Sequence, residues 1–150
     1  MPEQATRKRA AKAKREGKAP TTQAGEYVKE EIEHIREGKH GARSAKQAIA
    51  IGLSKARRAG VKLPKPPASA TERTKESAAS AERAAKRGGP KRTSPKRARA
   101  AEKALKRESR AAASHTALSR QAKAAAKRRP ARARKAAARK AAKTRRRQSA

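Results

Sequence analysis

Large apolar residues are scarce in this chain, and most of them lie in one short segment. Isoleucine, leucine and valine together number ten, and eight of these fall between Val28 and Leu63. Ordering one residue costs roughly 1–2 kcal/mol of backbone entropy, whereas burying one aliphatic side chain returns about 1.5–3 kcal/mol. Eight such residues can hold a small helical unit together, but the other two cannot organise the rest of the chain. The sequence therefore predicts one mini-domain with extensions instead of a single 150-residue globule.

The segment SAKQAIAIGLSKARRAG, residues 44–60, carries the signals of a complete amphipathic helix. Ser44 can cap its start by accepting a backbone hydrogen bond from the first turn. Gly60 can take the positive φ that ends a helix, and Val61 can then fold back onto Ala56. Small or apolar residues recur at the spacing of one helical face: Ala45, Ala48, Ile49, Gly52, Leu53 and Ala56.

A second helix is predicted just before this one, in a segment rich in glutamate. Five of the twelve glutamates lie in the sequence EYVKEEIEHIRE. Thr22 or Gly25 would begin this helix, and Gly38 would end it. Its large apolar residues recur at i, i+4 and i+7, the stripe of a helix of about three turns: Val28, Ile32 and Ile35.

The short link GKHGAR between the two helices allows them to fold back as an αα-hairpin. The apolar stripe of the acidic helix would then meet Ile49, Leu53 and Ala56 of the second helix. Exposed ion pairs contribute only ~0–1 kcal/mol each, so the apolar contacts must dominate. Glu30, Glu33 or Glu37 can pair with cations of the second helix.

Outside the hairpin, the sequence lacks the large side chains of a packed core. The predicted fold class is mostly α: a small helical hairpin with long basic extensions that are largely disordered or conditionally helical. The predicted segments are a basic arm (1–20), the hairpin core (21–63), a Pro-rich linker (64–70), an Ala/Glu/Lys segment of partial helicity (71–89) and a Lys/Arg/Ala-rich tail (90–150).

The charge of the chain is strongly unbalanced, with 45 lysines and arginines against 12 glutamates, a formal net charge of +33. A polymer this cationic repels itself and binds polyanions, of which nucleic acid is the abundant intracellular example. Cysteine is absent, which excludes disulfides and thiolate metal sites. Because no apolar run approaches the ~20 residues of a membrane span, we expect a cytoplasmic protein. An Arg-rich organelle transit peptide at the N-terminus is the alternative.

Two resemblances accompany these patterns. The block GKHGARSAKQAIAIGLSKARRAGVKLP, residues 38–64, resembles a family of small, functionally uncharacterised bacterial proteins with variable basic extensions. This resemblance implies a bacterial source but no mechanism. The tail is similar in composition to the C-terminal domains of linker histones and to bacterial Lys/Ala-rich histone-like proteins. Its sequence Ser94-Pro95-Lys96-Arg97 resembles the turns of histone tails that present two cations to the minor groove.

The histidines offer no obvious chemistry. His34, His40 and His115 are far apart in the sequence and lack acidic or thiol companions at ligand spacing, so no metal or other cofactor is predicted. His34 is expected on the surface of the acidic helix. The run Lys39-His40-Gly41 is interpreted as a tight interhelical turn, with phosphate binding by its backbone N–H groups as the alternative. No phosphate-binding, zinc-protease or nucleophile-elbow motif occurs, so no enzymatic activity is expected.

The predicted function is sequence-nonspecific DNA binding by phosphate neutralisation, in the manner of a histone-like nucleoid-associated protein. The alternatives are an RNA- or ribosome-associated protein and a protein-interaction module with nucleic-acid-tethering tails. DNA is favoured over RNA, a protein partner of the hairpin stays open, and neither a membrane nor a small-molecule substrate is expected. The residues predicted to contact nucleic acid are Lys39, His40, Arg43, Lys46, Lys55, Arg57, Arg58, Lys62, Lys96 and Arg97.

Overall fold

The computed structural model describes residues 2–88 and 94–148, which form seven α-helices, one 3-10 helix and no strand. Contacts divide the chain into a first unit that ends at Ser114 and a second unit that begins at His115. The α-helices are α1 (Gln4–Arg15), α2 (Pro20–Arg36), α3 (Ala45–Arg58), α4 (Glu72–Lys86), α5 (Pro95–Lys106), α6 (His115–Lys127) and α7 (Ala131–Gln148), and the 3-10 helix is Arg110–Ala113.

The helix predicted from Ser44 to Gly60 is confirmed as α3. The Ser44 hydroxyl accepts a hydrogen bond from the Gln47 backbone N–H at 3.2 Å. Gly60 follows the helix with a φ of +88°. The Val61 N–H donates to the Ala56 carbonyl at 3.1 Å, and both residues belong to one apolar cluster. This pattern is a Schellman motif, which satisfies the last carbonyls of the helix and ends it.

The acidic helix is confirmed as α2, which packs against α3. It begins at Pro20, before the predicted Thr22 or Gly25, because proline is well suited to the first turn of a helix. It ends as predicted at Gly38, which has a φ of +79°. The two helices approach closely at Gly52, where an added Cβ would lie 2.6 Å from the Val28 Cα atom.

The core of the first unit is built mainly from alanine. One cluster joins Ile32 and Ile35 of α2 to small residues of three other segments: Ala42, Ala48, Ala112 and Ala113. A second cluster surrounds the buried Tyr27 with residues from α1 to Leu63: Ala10, Ala24, Leu53, Ala56, Val61 and Leu63. Small side chains let helix backbones approach closely, so these helices pack with few large aliphatic residues.

The predicted fold class is therefore wrong in its extensions, which are ordered helices and not largely disordered segments. The predicted N-terminal arm forms α1, which packs on α2 and buries Ala10. The predicted segment of partial helicity forms α4, which packs on α3 and buries Ala78, Ala81 and Ala84. The prediction counted isoleucine, leucine and valine alone, and thereby missed apolar faces made of alanine.

Part of the predicted tail also belongs to the first unit. The Gly41 N–H donates to the Leu105 carbonyl at 2.9 Å, and the Ala42 N–H donates to the Ser109 carbonyl at 3.1 Å. Arg36 Nε donates to the Ala113 carbonyl at 3.0 Å. These bonds hold the end of α5 and the 3-10 helix against the link between α2 and α3.

Substituting Gly41 should detach this contact, because an added Cβ would overlap the Glu108 carbonyl oxygen. We expect Gly41→Ala to lower the free energy of unfolding by about 2–3 kcal/mol, since two backbone hydrogen bonds and their packing are lost. Urea unfolding followed by Tyr27 fluorescence measures the change. Gly25→Ala is the control: Gly25 is helical with open space around its Cα, so alanine should stabilise by about 0.5–1 kcal/mol. Equal stability of the two variants would contradict the contact.

The turn predicted at Ser94-Pro95-Lys96-Arg97 is instead the start of a helix. Ser94 precedes α5, and Pro95 is its first residue. Proline suits the first position of a helix because a backbone N–H there would have no acceptor within the helix, so its absence costs nothing. Lys96 and Arg97 lie in the first turn of α5 and are exposed. Residues 90–93 of the predicted tail lie outside the described residues.

The second unit consists of α6 and α7, neither of which contains an acidic residue. Pro130 lies between the helices and its carbonyl accepts from Ala133 and Arg134 in the first turn of α7. Residues 131–147 are all exposed. Within the described parts of the chain, no helix is both long enough and apolar enough to cross a membrane.

Candidate functional site

Five of the ten residues predicted to contact nucleic acid are exposed and form no ion pair with the described residues. They lie on α3, just after it, and at the start of α5. Their charges are available to a phosphate backbone, which is the partner predicted for them. These residues are Lys46, Arg58, Lys62, Lys96 and Arg97.

Arg43 and Lys39 are exposed but have acidic neighbours. Arg43 Nη2 lies 3.6 Å from a Glu108 carboxylate oxygen. Lys39 Nζ lies 3.0 Å from Glu37 and 3.3 Å from Glu3. The hydrogen bond to Glu37 raises the pKa of Lys39, and the bond to Glu3 adds to this effect. Both cations can exchange these exposed partners for phosphates at little cost, because such pairs contribute only ~0–1 kcal/mol.

Lys55 and Arg57 face the protein interior. Lys55 Nζ forms ion pairs with Glu31 Oε2 and, at 3.5 Å, with Glu30 Oε1. Arg57 Nη2 donates to the Pro64 carbonyl at 2.9 Å, and its Nε lies 3.8 Å from Glu82. Both cations therefore already contact groups of this chain, unlike the five exposed cations described above.

Two consecutive glutamates of α2 are buried, although glutamates in such a charged segment are expected to be exposed. Glu30 and Glu31 are each 1% exposed. Glu30 Oε2 accepts from the Glu3 backbone N–H at 3.1 Å, and Glu30 Oε1 lies 3.5 Å from the Lys55 ammonium group. The predicted pairing of Glu30 with a cation of α3 is thus confirmed. Glu33 and Glu37 pair instead with Lys29 and Lys39, outside α3.

The loop Lys39-His40-Gly41 makes a turn, and the backbone N–H groups of Lys39 and Gly41 donate within the protein. Lys39 N–H closes the end of α2 by donating to the His34 carbonyl at 3.0 Å. Gly41 N–H donates to Leu105, as described above. His40 Nδ1 lies 3.1 Å from the Gly41 carbonyl oxygen, so its ring is held by its own loop.

His34 and His40 come together, contrary to the prediction that the histidines lack acidic companions. Their ring centroids are 6.3 Å apart. His34 is not on the open surface, since its side chain is 14% exposed and its Nε2 lies 2.9 Å from Glu3 Oε1. This contact, with help from Lys39, lowers the pKa of Glu3. His40 Nε2 lies 3.3 Å from Glu31 Oε1.

One sequence signal could have found this cluster. Glu31 and His34 are three residues apart, which places them on the same face of α2. One potential ligand atom from each of Glu31, His34 and His40 lies within 4.8 Å of the others. The return of His40 to this face depends on the turn at Gly38, which sequence spacing did not reveal. His115 is exposed at the start of α6.

The largest run of exposed cations absent from the predicted set lies in α7. The helix contains nine lysines and arginines and no acidic residue. The composition of the tail indicated its charge, but the prediction of a disordered tail gave no reason to single out its residues. The cations are Arg132, Arg134, Lys135, Arg139, Lys140, Lys143, Arg145, Arg146 and Arg147.

Comparison with known proteins matches residues 8–66 to the model of a family of unknown function, DUF6496. The matched segment contains α2 and α3 whole, and with them the buried cluster of Glu30, Glu31, His34, His40 and Lys55. It agrees with the predicted resemblance of this core to an uncharacterised family; the bacterial source and the tail resemblance stay predictions. No curated protein and no solved structure matches the chain.

Proposed function

We propose that this chain binds duplex DNA without reading its sequence, by neutralising backbone phosphates. The observation that carries the proposal is α7, an 18-residue helix with nine cations and no acidic residue. Residues 131–147 are exposed throughout, so all nine cations of the helix are accessible from solvent. It is about 27 Å long at 1.5 Å per residue, and duplex DNA carries one negative charge per ~1.7 Å of its axis.

Repulsion within α7 favours such a partner. Lys135 and Arg139 are four residues apart, as are Arg139 and Lys143, so like charges neighbour each other along the helix. Each like-charge pair at this spacing costs about 0.2–0.5 kcal/mol. Phosphates placed between these cations replace repulsion by attraction, and condensed counterions released from the DNA add the entropic driving force.

The acidic residues do not offset this charge. All twelve glutamates precede Arg110 in the sequence. Eleven of them form ion pairs with described cations of the first unit. Residues 115–150 contain fourteen lysines and arginines and no aspartate or glutamate. The negative charges of the chain therefore mostly pair within the first unit, and the excess positive charge can bind an anionic partner.

The shape of the cationic helix supports DNA over RNA. The major groove of B-DNA is about 12 Å wide and admits an α-helix, whereas that of A-form RNA is deep and narrow. Tyr27, the one aromatic residue of the chain, is 3% exposed. The protein thus offers no exposed Phe, Tyr or Trp ring on which the bases of single strands could stack. A histone-like role at a bacterial nucleoid fits these properties.

The test neutralises four cations of α7 in the full chain, as R134Q/K135Q/R139Q/K140Q. Binding to a labelled random-sequence duplex is measured by fluorescence anisotropy across a salt series. We expect the slope of log affinity against log salt to become shallower by about 3–4, since each phosphate contact contributes ~0.9. The loss should be equal for duplexes of unrelated sequence.

The matched control is R134K/R139K, which keeps the charge of α7 but removes the planar guanidinium groups. Phosphate neutralisation predicts near wild-type affinity for this variant, whereas bidentate recognition of bases would be lost. An unchanged salt slope in the glutamine variant would refute the proposal. Tighter binding to an RNA duplex of equal length would favour the RNA-associated alternative instead.

A further inference from the structure

We propose that Glu31, His34 and His40 form a Zn²⁺ site in the first unit. One potential ligand atom from each residue lies within 4.8 Å of the other two. The site is separate from the exposed cations on which the proposed DNA binding rests, and it uses residues of α2 and of the link that follows. Two imidazoles and one carboxylate are a ligand set that zinc accepts in proteins.

The backbone brings the three side chains to one point. Glu31 and His34 lie one helical turn apart on the same face of α2. Gly38, with a φ of +79°, reverses the chain directly after the helix and returns His40 to that face. Gly41 fixes the end of this turn through its hydrogen bond to Leu105. The arrangement is therefore held by the fold before any ion binds.

The distance between His40 and Glu31 fits two ligands of one ion. His40 Nε2 and Glu31 Oε1 are 3.3 Å apart. A direct N⁺–H···O⁻ hydrogen bond is usually shorter, about 2.7–2.9 Å. Two ligands bonded at about 2.0–2.1 Å to a tetrahedral zinc are separated by roughly 3.3–3.4 Å. The observed spacing matches the edge of that tetrahedron.

Partners outside the cluster orient both rings. His40 Nδ1 lies 3.1 Å from the Gly41 carbonyl, a contact that suits an N–H donor at Nδ1 and leaves the lone pair of Nε2 toward Glu31. His34 contacts the Glu3 carboxylate at 2.9 Å. Backbone carbonyls and carboxylates are the usual outer partners of metal-binding histidines, and they fix the ring orientation.

The ligand types favour zinc over Mg²⁺ and Ca²⁺ at this partly buried site. Glu31 is 1% exposed, and the side chains of His34 and His40 are 14% and 17% exposed, so the site is sheltered but reachable. Lys55 forms an ion pair with Glu31 Oε2, which leaves Glu31 Oε1 as the oxygen that can bind the metal ion. Mg²⁺ and Ca²⁺ prefer all-oxygen ligands, whereas imidazole nitrogen suits zinc. Three protein ligands leave a fourth position for water.

The experiment uses the full, tag-free chain stripped of metal with a chelator, in the absence of nucleic acid. We expect one Zn²⁺ per chain by isothermal titration calorimetry, and Co²⁺ in its place should show the visible absorption of a tetrahedral ion. The apparent melting temperature should rise by roughly 5–10 °C at a hundredfold excess over the dissociation constant. His34→Gln and His40→Gln should each weaken zinc binding by more than about 100-fold, beyond the loss seen for an outer partner.

His115→Gln is the matched control, because His115 is exposed at the start of α6 and should leave zinc binding unchanged. Proton NMR of the wild-type chain gives a second test that needs no variant. The three histidines give three sets of ring signals, and zinc should shift those of His34 and His40 alone. Absence of stoichiometric binding would overturn the proposal, as would shifts confined to His115 or wild-type affinity in either His34→Gln or His40→Gln.

Discussion

Raising the salt concentration from about 50 to about 200 mM should weaken binding of the chain to a random-sequence DNA duplex by about 10³–10⁵-fold. This range corresponds to roughly six to ten neutralised phosphates. The nine cations of α7, together with Lys46, Arg58 and Lys62 of the first unit, supply more than that number. Each contact releases condensed counterions from the duplex, and added salt removes the entropic gain.

Anisotropy titrations at several salt concentrations measure the effect, with far-UV circular dichroism at each concentration to show that the helices persist. A neutral osmolyte at equal osmolality is the control and should leave the affinity nearly unchanged. Duplexes of different sequence but equal length should give the same slope. If affinity barely changes across the salt series, phosphate neutralisation cannot be the basis of binding.

The sequence was most informative where local signals decide the structure. Ser44 and Gly60 predict both ends of α3, because a cap and a positive-φ glycine act within one turn of the helix. Gly38 predicts the end of α2 for the same reason. These capping interactions involve only neighbouring residues, so they do not depend on how the rest of the chain packs.

Packing between distant segments was not predictable in the same way. The docking of α5 onto the link between α2 and α3 rests on backbone hydrogen bonds from Gly41 and Ala42, which leave no mark in side-chain patterns. The buried alanines Ala10, Ala81 and Ala113 cannot be distinguished by sequence from the solvent-exposed alanines of α7. Alanine favours helix everywhere, and its burial depends on which helices meet.

The sequence does not reveal the buried cluster, because charged side chains normally indicate an exposed segment. Glu30 and Glu31 belong to the same acidic run as Glu33 and Glu37, and spacing alone does not separate buried from exposed members. Their burial depends on Lys55, which lies on the next helix. The sequence prediction had assigned Lys55 to phosphate contact, since composition cannot show which cation a buried acid will take as its partner.

Removing that partner should be the most destabilising single substitution considered for the fold. We expect Lys55→Met to lower the free energy of unfolding by about 3–5 kcal/mol, the usual cost of leaving a buried ion without its partner. Two carboxylates, each 1% exposed, would lose their cation. Methionine keeps much of the apolar stem of lysine, so the change mainly removes charge. Urea unfolding monitored by Tyr27 fluorescence measures it.

Two comparisons separate the charge effect from other causes. Lys46→Met removes an exposed cation of the same helix and should change stability by less than ~0.5 kcal/mol. The triple variant E30Q/E31Q/K55M removes all three charges together and should recover most of the loss, because uncharged amides cost less to bury than unpaired carboxylates. Equal stability of Lys55→Met and Lys46→Met would show that the buried carboxylates do not depend on Lys55.

If Lys55 instead binds DNA phosphates, Lys55→Met would weaken DNA binding while leaving the folded core intact. The two roles of Lys55 therefore predict opposite outcomes in the same pair of measurements.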